Sequence, residues 1–103
     1  MDTKKYNIIL TDMAKIDLEE IYQYIFENLK EPKIAYKLME KIETEIVSLE
    51  TSPYRRMEVH IKPKNQIYRR LVIDNYVVLY RVEEEKKEVV IFQILYGGRN
   101  YLK

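Results

Sequence analysis

Apolar positions in this chain fall into two helical stripes followed by runs of strand-like alternation. Ahead of them Tyr6-Asn7-Ile8-Ile9-Leu10 is a short strand candidate, and Thr11 and Asp12 supply helix N-cap oxygens. Ala14, Leu18, Ile21, Ile25 and Leu29 then recur at three- and four-residue intervals, which is one face of a helix predicted over about Met13 to Leu29. Lys30-Glu31-Pro32 breaks the pattern, and Pro32 suits the first turn of a second helix. Its stripe is Ala35, Leu38, Met39, Ile42, Ile46 and Leu49. A linker of about three residues forces the two helices antiparallel, as a hairpin.

Beyond Thr51-Ser52-Pro53 the period changes. Tyr54 to Gln66 is polar and aperiodic with Pro63 inside it, and reads as a loop holding a short extended piece at Val59–Ile61. Ile67–Ile73, Tyr76–Val82 and Glu88–Tyr96 read as strands. Asp74-Asn75, both tolerant of positive φ, and the charged stretch Glu83–Lys87 form the turns between them. Val89 to Leu95 is apolar on both faces, which predicts an interior strand covered on both sides. Gly97-Gly98 ends it. The pattern predicts a single α+β domain over residues 1–103, with a helical hairpin and an antiparallel sheet.

Composition excludes several classes of chemistry. The 47% hydrophobic and 34% charged balance is that of a globular chain. The chain has no cysteine, so it forms neither disulfides nor cysteine-based zinc sites. His60 is the only histidine, which leaves no histidine pair for a metal and no choice of partners for a Ser–His–Asp arrangement. Gly97-Gly98 lacks the spacing of the phosphate-binding glycine motifs. No metal or other cofactor is expected. The apolar stretch before Asp12 is far short of a signal-peptide core or membrane span, so the expected location is cytoplasmic.

The net charge of +1 hides a polarised distribution. Residues 1–51 carry 7 basic and 11 acidic side chains, whereas residues 52–82 carry 7 basic and 2 acidic. Such a chain can offer a basic face to an anionic partner. Its cations are Lys62 and Lys64 around Pro63, the adjacent Arg69 and Arg70, and Arg81 and Arg99 near the ends of later strands. Ten tyrosines accompany them, including Tyr68, Tyr76, Tyr80, Tyr96 and Tyr101. Guanidinium groups grip phosphates or carboxylates bidentately and stack on aromatic rings. Neighbouring strand residues point to opposite faces, so Arg69 and Arg70 cannot serve one site through the sheet surface. The competing role for each arginine is a cross-strand ion pair of little energetic weight, and for each tyrosine a core ring with a satisfied hydroxyl. The acidic side chains of the helices, at solvent-face spacing, read as a solvated surface.

Four segments, in this order, carry a family likeness: Ala14-x-x-x-Asp17-Leu18-x-x-Ile21-x-x-Tyr24-Ile25; Leu49-x-x-x-Pro53-x-x-Arg56; Arg69-x-Leu71-x-Ile73-x-Asn75-Tyr76-x-x-Leu79-Tyr80-Arg81-Val82; and Ile94-Leu95-Tyr96-Gly97-Gly98-Arg99. Across nearly its whole length the chain resembles the RelE/ParE superfamily of bacterial type II toxin–antitoxin toxins. The resemblance implies a β-α-α-β-β-β fold, growth inhibition or plasmid stabilisation, and a cognate antitoxin that wraps the toxin. RelE-like members cut ribosome-bound mRNA without a metal, and ParE-like members poison DNA gyrase without being enzymes. In the RNA-cleaving members an arginine follows the tyrosine that opens the middle strand; here that position is Val77. The arginine after the final glycines is matched by Arg99, while Arg70 and Tyr68 stand where those toxins carry catalytic lysines. Tyr101 is the nearest substitute for their terminal catalytic tyrosine. The resemblance therefore leans to a gyrase-binding toxin contacting its target through Lys62, Lys64, Arg69, Arg70, Arg81, Tyr96 and Arg99. An mRNA endonuclease using Arg99, Arg70, Tyr68 and Tyr101, and a non-toxic binding module, are the alternatives.

Overall fold

Thr11 starts the first helix as its side chain predicts, in a computed structural model that describes residues 5–29, 31–61 and 66–96. Its hydroxyl oxygen accepts from the Ala14 N–H at 3.1 Å and opens α1, Asp12–Asn28. Pro32 occupies the first turn of α2, Pro32–Val47, and a 3-10 turn continues it over Ser48–Glu50. The stripe predicted to run helically to Leu49 thus tightens by its last residues, and Leu49 is still fully buried. The hairpin is antiparallel: Tyr22 donates to Glu43 at 2.9 Å, and the Phe26 ring meets Tyr36 edge-on at 5.5 Å.

Five strands form one sheet: β1 Asn7–Leu10, β2 Met57–Ile61, β3 Gln66–Ile73, β4 Tyr76–Glu83 and β5 Glu88–Tyr96. Their order is β1-β5-β4-β3-β2, with β1 parallel to β5 and every other pair antiparallel. The expected helical hairpin on a mainly antiparallel sheet is the observed architecture. The expected loop from Tyr54 is corrected, because its extended piece is a full edge strand two residues longer than Val59–Ile61. β2 pairs with β3 from Met57↔Arg70 to Ile61↔Gln66, and Glu58 meets the Arg69 guanidinium at 3.2 Å across the ladder. An edge strand has one neighbour and a charged residue between its apolar ones, so its order comes from pairing rather than from local pattern.

Both helices pack on one face of the sheet. Ala14, Ile25, Ala35, Ile42, Ile46 and Leu49 join Leu71, Ile73, Tyr76, Val78, Tyr80, Val89, Ile91 and Ile94 in one core. Tyr80 lies at the centre, fully buried, with its hydroxyl donating to the Pro53 carbonyl at 2.6 Å. Burial pushes that phenol up to about 12, so it remains a neutral donor. β5 is an interior strand, as expected, but the cover expected on both of its faces is corrected: among the described residues helices pack on one face alone. The helices cover its Val89–Ile91–Ile94 face, while Val90 and Leu95 are buried on the opposite one without joining the helix-side core.

β5 is nine residues long and β1 only four, so the β1 ladder ends at Leu10↔Ile91. Beyond that point α1 satisfies the edge of β5. Thr11 donates to the Phe92 carbonyl at 2.8 Å, and the Asp17 carboxylate accepts from the Ile94 N–H at 3.0 Å. Phe92 is the extra residue of a β-bulge, since Leu79 pairs with Gln93 but Tyr80 with Ile91.

The turn between β4 and β5 is held by Glu84. Its carboxylate accepts from Tyr6 at 2.7 Å, from Tyr54 at 2.6 Å and from Lys87. These donors hold Glu84 down at about 2, against an ordinary value of 4.5.

Two outcomes follow from these contacts. Asp17→Ala leaves the Ile94 N–H without its acceptor and is expected to cost about 1–3 kcal/mol of stability. Asp17→Asn keeps an acceptor oxygen and is expected to cost less; urea denaturation of both variants measures the difference. The Glu84 value is lower folded than unfolded, so its stabilisation is present above pH 4.5 and is lost as pH falls towards about 2. Wild type is therefore expected to lose stability more steeply than Glu84→Gln through that window, read as denaturation midpoints against pH.

Candidate functional site

The alternation of β3 sends Arg69 and Arg70 to opposite faces, and their surroundings differ accordingly. Arg69 pairs with Tyr80 in the ladder and lies on the helix side. Its guanidinium donates to the carbonyls of Tyr54 at 3.3 Å and Arg56 at 2.9 Å, and it sits 5.1 Å from the Tyr54 ring centroid. With Glu58 added, both terminal nitrogens of that cation are engaged in holding the segment between the 3-10 turn and β2. Arg69 is built into the fold.

Arg70 and Arg81 share the other face, over which no helix of the described residues packs. Arg70 lies against Met57 across the β2–β3 ladder, with 3.3 Å to its sulfur. Arg81 donates to Glu83 at 2.7 Å, and this carboxylate pushes the guanidinium above its ordinary value. Tyr68 stands beside Arg81 and is only 5% exposed, its ring 5.1 Å from that of Phe92. Because these rings belong to β3 and β5, their contact spans β4, where Leu79 is buried. Val77 faces the same side between Val72 and Leu95. This face therefore has a row of branched apolar side chains, Val72, Val77 and Leu95, and beyond it two successive rows that each hold one arginine, Arg70 and then Arg81.

Tyr96 belongs to none of these rows. It pairs with Tyr76 on the helix side, their rings edge-on at 5.7 Å. Together with Asp17, Glu20, Ile21 and Tyr24 of α1, and Ile94, they line a groove of about 360 Å³. The four α1 residues recur at three, one and three positions, a single helical stripe. Tyr76 forms the buried floor, and burial, followed by the neighbouring Tyr96 and Tyr24 phenols and Asp74, raises its hydroxyl above the ordinary value.

The residues expected at one target surface are thus divided. Arg70 and Arg81 are brought together, while Arg69 and Tyr96 are turned to the helix side. Lys62, Lys64, Arg99 and Tyr101 lie outside the described residues. Asp17, expected to be solvated surface, is half-buried and bonded to β5, whereas Glu20 is exposed as expected and borders the groove. The stripe Asp17–Glu20–Tyr24 along the flank of the apolar one was the signal that could have found them. Among the described residues, no group of three or more His, Cys, Asp or Glu could hold a metal ion, and no helix is long and apolar enough to cross a membrane.

A family model described as the ParE toxin of the type II toxin–antitoxin system parDE matches residues 8–101. Three solved structures are similar in fold. A chain of the chromosomal ParDE toxin–antitoxin system from P. aeruginosa aligns with a TM-score of 0.70 at 20% identity, covering 90% of this chain and 97% of that one. The RelBE2 toxin–antitoxin complex from Mycobacterium tuberculosis gives 0.63 at 19% identity, covering 95% and 98%. The archaeal RelE–RelB complex from Pyrococcus horikoshii OT3 gives 0.59 at 17%, covering 93% and 99%. No curated protein matches the chain in sequence. With its helical hairpin, its five-stranded sheet and a family match from β1 past the end of β5, the chain belongs to the ParE toxin family of type II toxin–antitoxin systems.

Proposed function

We propose that this protein is a ParE-like toxin that binds and inhibits DNA gyrase in the cytoplasm and is neutralised by a cognate antitoxin. The observation that carries this reading is the family match over residues 8–101 joined to the character of the sheet at Val77. Metal-free RNA cleavage needs a proton acceptor, a proton donor and cations on the phosphate. Val77 lies between Val72 and Leu95, an apolar environment where an RNA-cleaving relative carries a cation. Tyr68, a candidate for that chemistry, is buried against Phe92. The face instead offers two arginines beside exposed apolar side chains, Met57 and Val72, which is the make-up of a protein-binding surface. Arg70 and Arg81 are the residues assigned to the target contact. The similar structures come from toxin–antitoxin systems, which supports an antitoxin as the second partner.

Purified protein is expected to inhibit gyrase supercoiling at micromolar concentration, and Arg70→Ala with Arg81→Ala to weaken that inhibition by about tenfold or more. Translated mRNA is expected to stay intact. An unaffected gyrase together with mRNA cleavage that disappears in Arg99→Ala would reassign the protein as a ribosome-dependent endonuclease. Normal growth on expression without an antitoxin would make it a non-toxic binding module.

A further inference from the structure

We infer that the groove between α1 and the ends of β4 and β5 is a pocket for one basic side chain, arginine or lysine, presented by the antitoxin. This rests on the antitoxin part of the proposed function and names the chemistry of one contact within it. Three aromatic rings form the walls: Tyr76 as the buried floor, with Tyr24 and Tyr96 at the rim, 58% and 53% exposed. Such rings attract a cation through their negative faces, most strongly where water is displaced. Two carboxylates complete the lining, and no described residue that lines it is basic. Asp17 is oriented by the Ile94 N–H, which occupies its Oδ2 oxygen and leaves Oδ1 for a further donor. Glu20 makes no hydrogen bond or ion pair among the described residues. At about 360 Å³ the groove is at the small end of ligand pockets, with room for one long side chain but not for a helix or strand. Ile21 and Ile94 line the interior and suit the methylene stem of such a side chain. Charge, ring placement and size therefore call for the same occupant.

The test titrates the full chain with the protein encoded beside its gene, by calorimetry. Wild type is expected to bind, Tyr24→Ala to bind about tenfold more weakly and Glu20→Lys by tenfold or more. Glu40→Lys, on the exposed surface of α2, is expected to leave binding unchanged. Replacing the partner's basic residues one at a time with glutamate is expected to yield one change that restores binding to Glu20→Lys. Wild-type affinity in both Glu20→Lys and Tyr24→Ala overturns the pocket while leaving the antitoxin reading intact. If the neighbouring protein does not bind wild type at all, the antitoxin reading fails, and N-acetyl-arginine amide then probes the pocket alone. Shifts of the Tyr24, Tyr76 and Tyr96 NMR signals that vanish in Glu20→Lys uphold the pocket, and their absence in wild type overturns it.

Discussion

An interior strand that outruns its neighbour sets the arrangement of this molecule. β5 continues five residues beyond the last partner that β1 provides, and the backbone groups of that stretch have no strand beside them on that edge. An unsatisfied amide there costs as much as a lost hydrogen bond, and a free edge invites pairing with another chain. The first helix resolves both problems. Thr11 caps α1 and binds the Phe92 carbonyl, and Asp17 takes the Ile94 N–H. Two contacts separated by more than a helical turn fix the angle at which α1 crosses the sheet. The flank bearing Glu20 and Tyr24 is thereby set opposite Tyr96, so the groove follows from the way the edge is closed.

Much of this fold was legible because its elements carry local signals. The two helical stripes needed only periodicity, and every residue in them lies in the core or packs against it. The cap at Thr11, the break at Pro32 and the turn at Asp74, which takes φ 50, each rest on the chemistry of one residue. β2 was only partly legible. Met57, Val59 and Ile61 alternate, but the polar residues around them mask so short a run, and the strand exists through its ladder with β3. The groove was not legible from composition, since acidic residues outside an apolar stripe are usually solvated. What turns Asp17 and Glu20 into pocket residues is the angle of a helix against a strand distant in sequence.

The arginines illustrate how similar side chains separate by parity. Arg69 and Arg70 are adjacent in the chain, yet one is enclosed by two backbone carbonyls, a carboxylate and a tyrosine ring, and the other lies on the face free of helices. Several residues of the family motifs prove to be architectural. Pro53 receives the Tyr80 hydroxyl, Arg56 offers its carbonyl to Arg69, and Asp17 closes the sheet edge. Their recurrence in the motif reports the fold. The positions proposed to bear on the target, Arg70 and Arg81, lie on the other face with Val77.

The bulge at Phe92 reaches further than its local distortion. Along a regular strand Tyr96 would share the face of Arg81; one additional residue reverses the parity of everything after it and delivers Tyr96 to the helices. The division of the molecule into an arginine-bearing side and a tyrosine-lined cleft is in that sense arithmetic. Lengthening or shortening β5 by one residue between Ile91 and Gln93 exchanges side chains between the two surfaces with no change in their chemistry. Related chains that differ by a single insertion there can present different partners with different faces of the same scaffold.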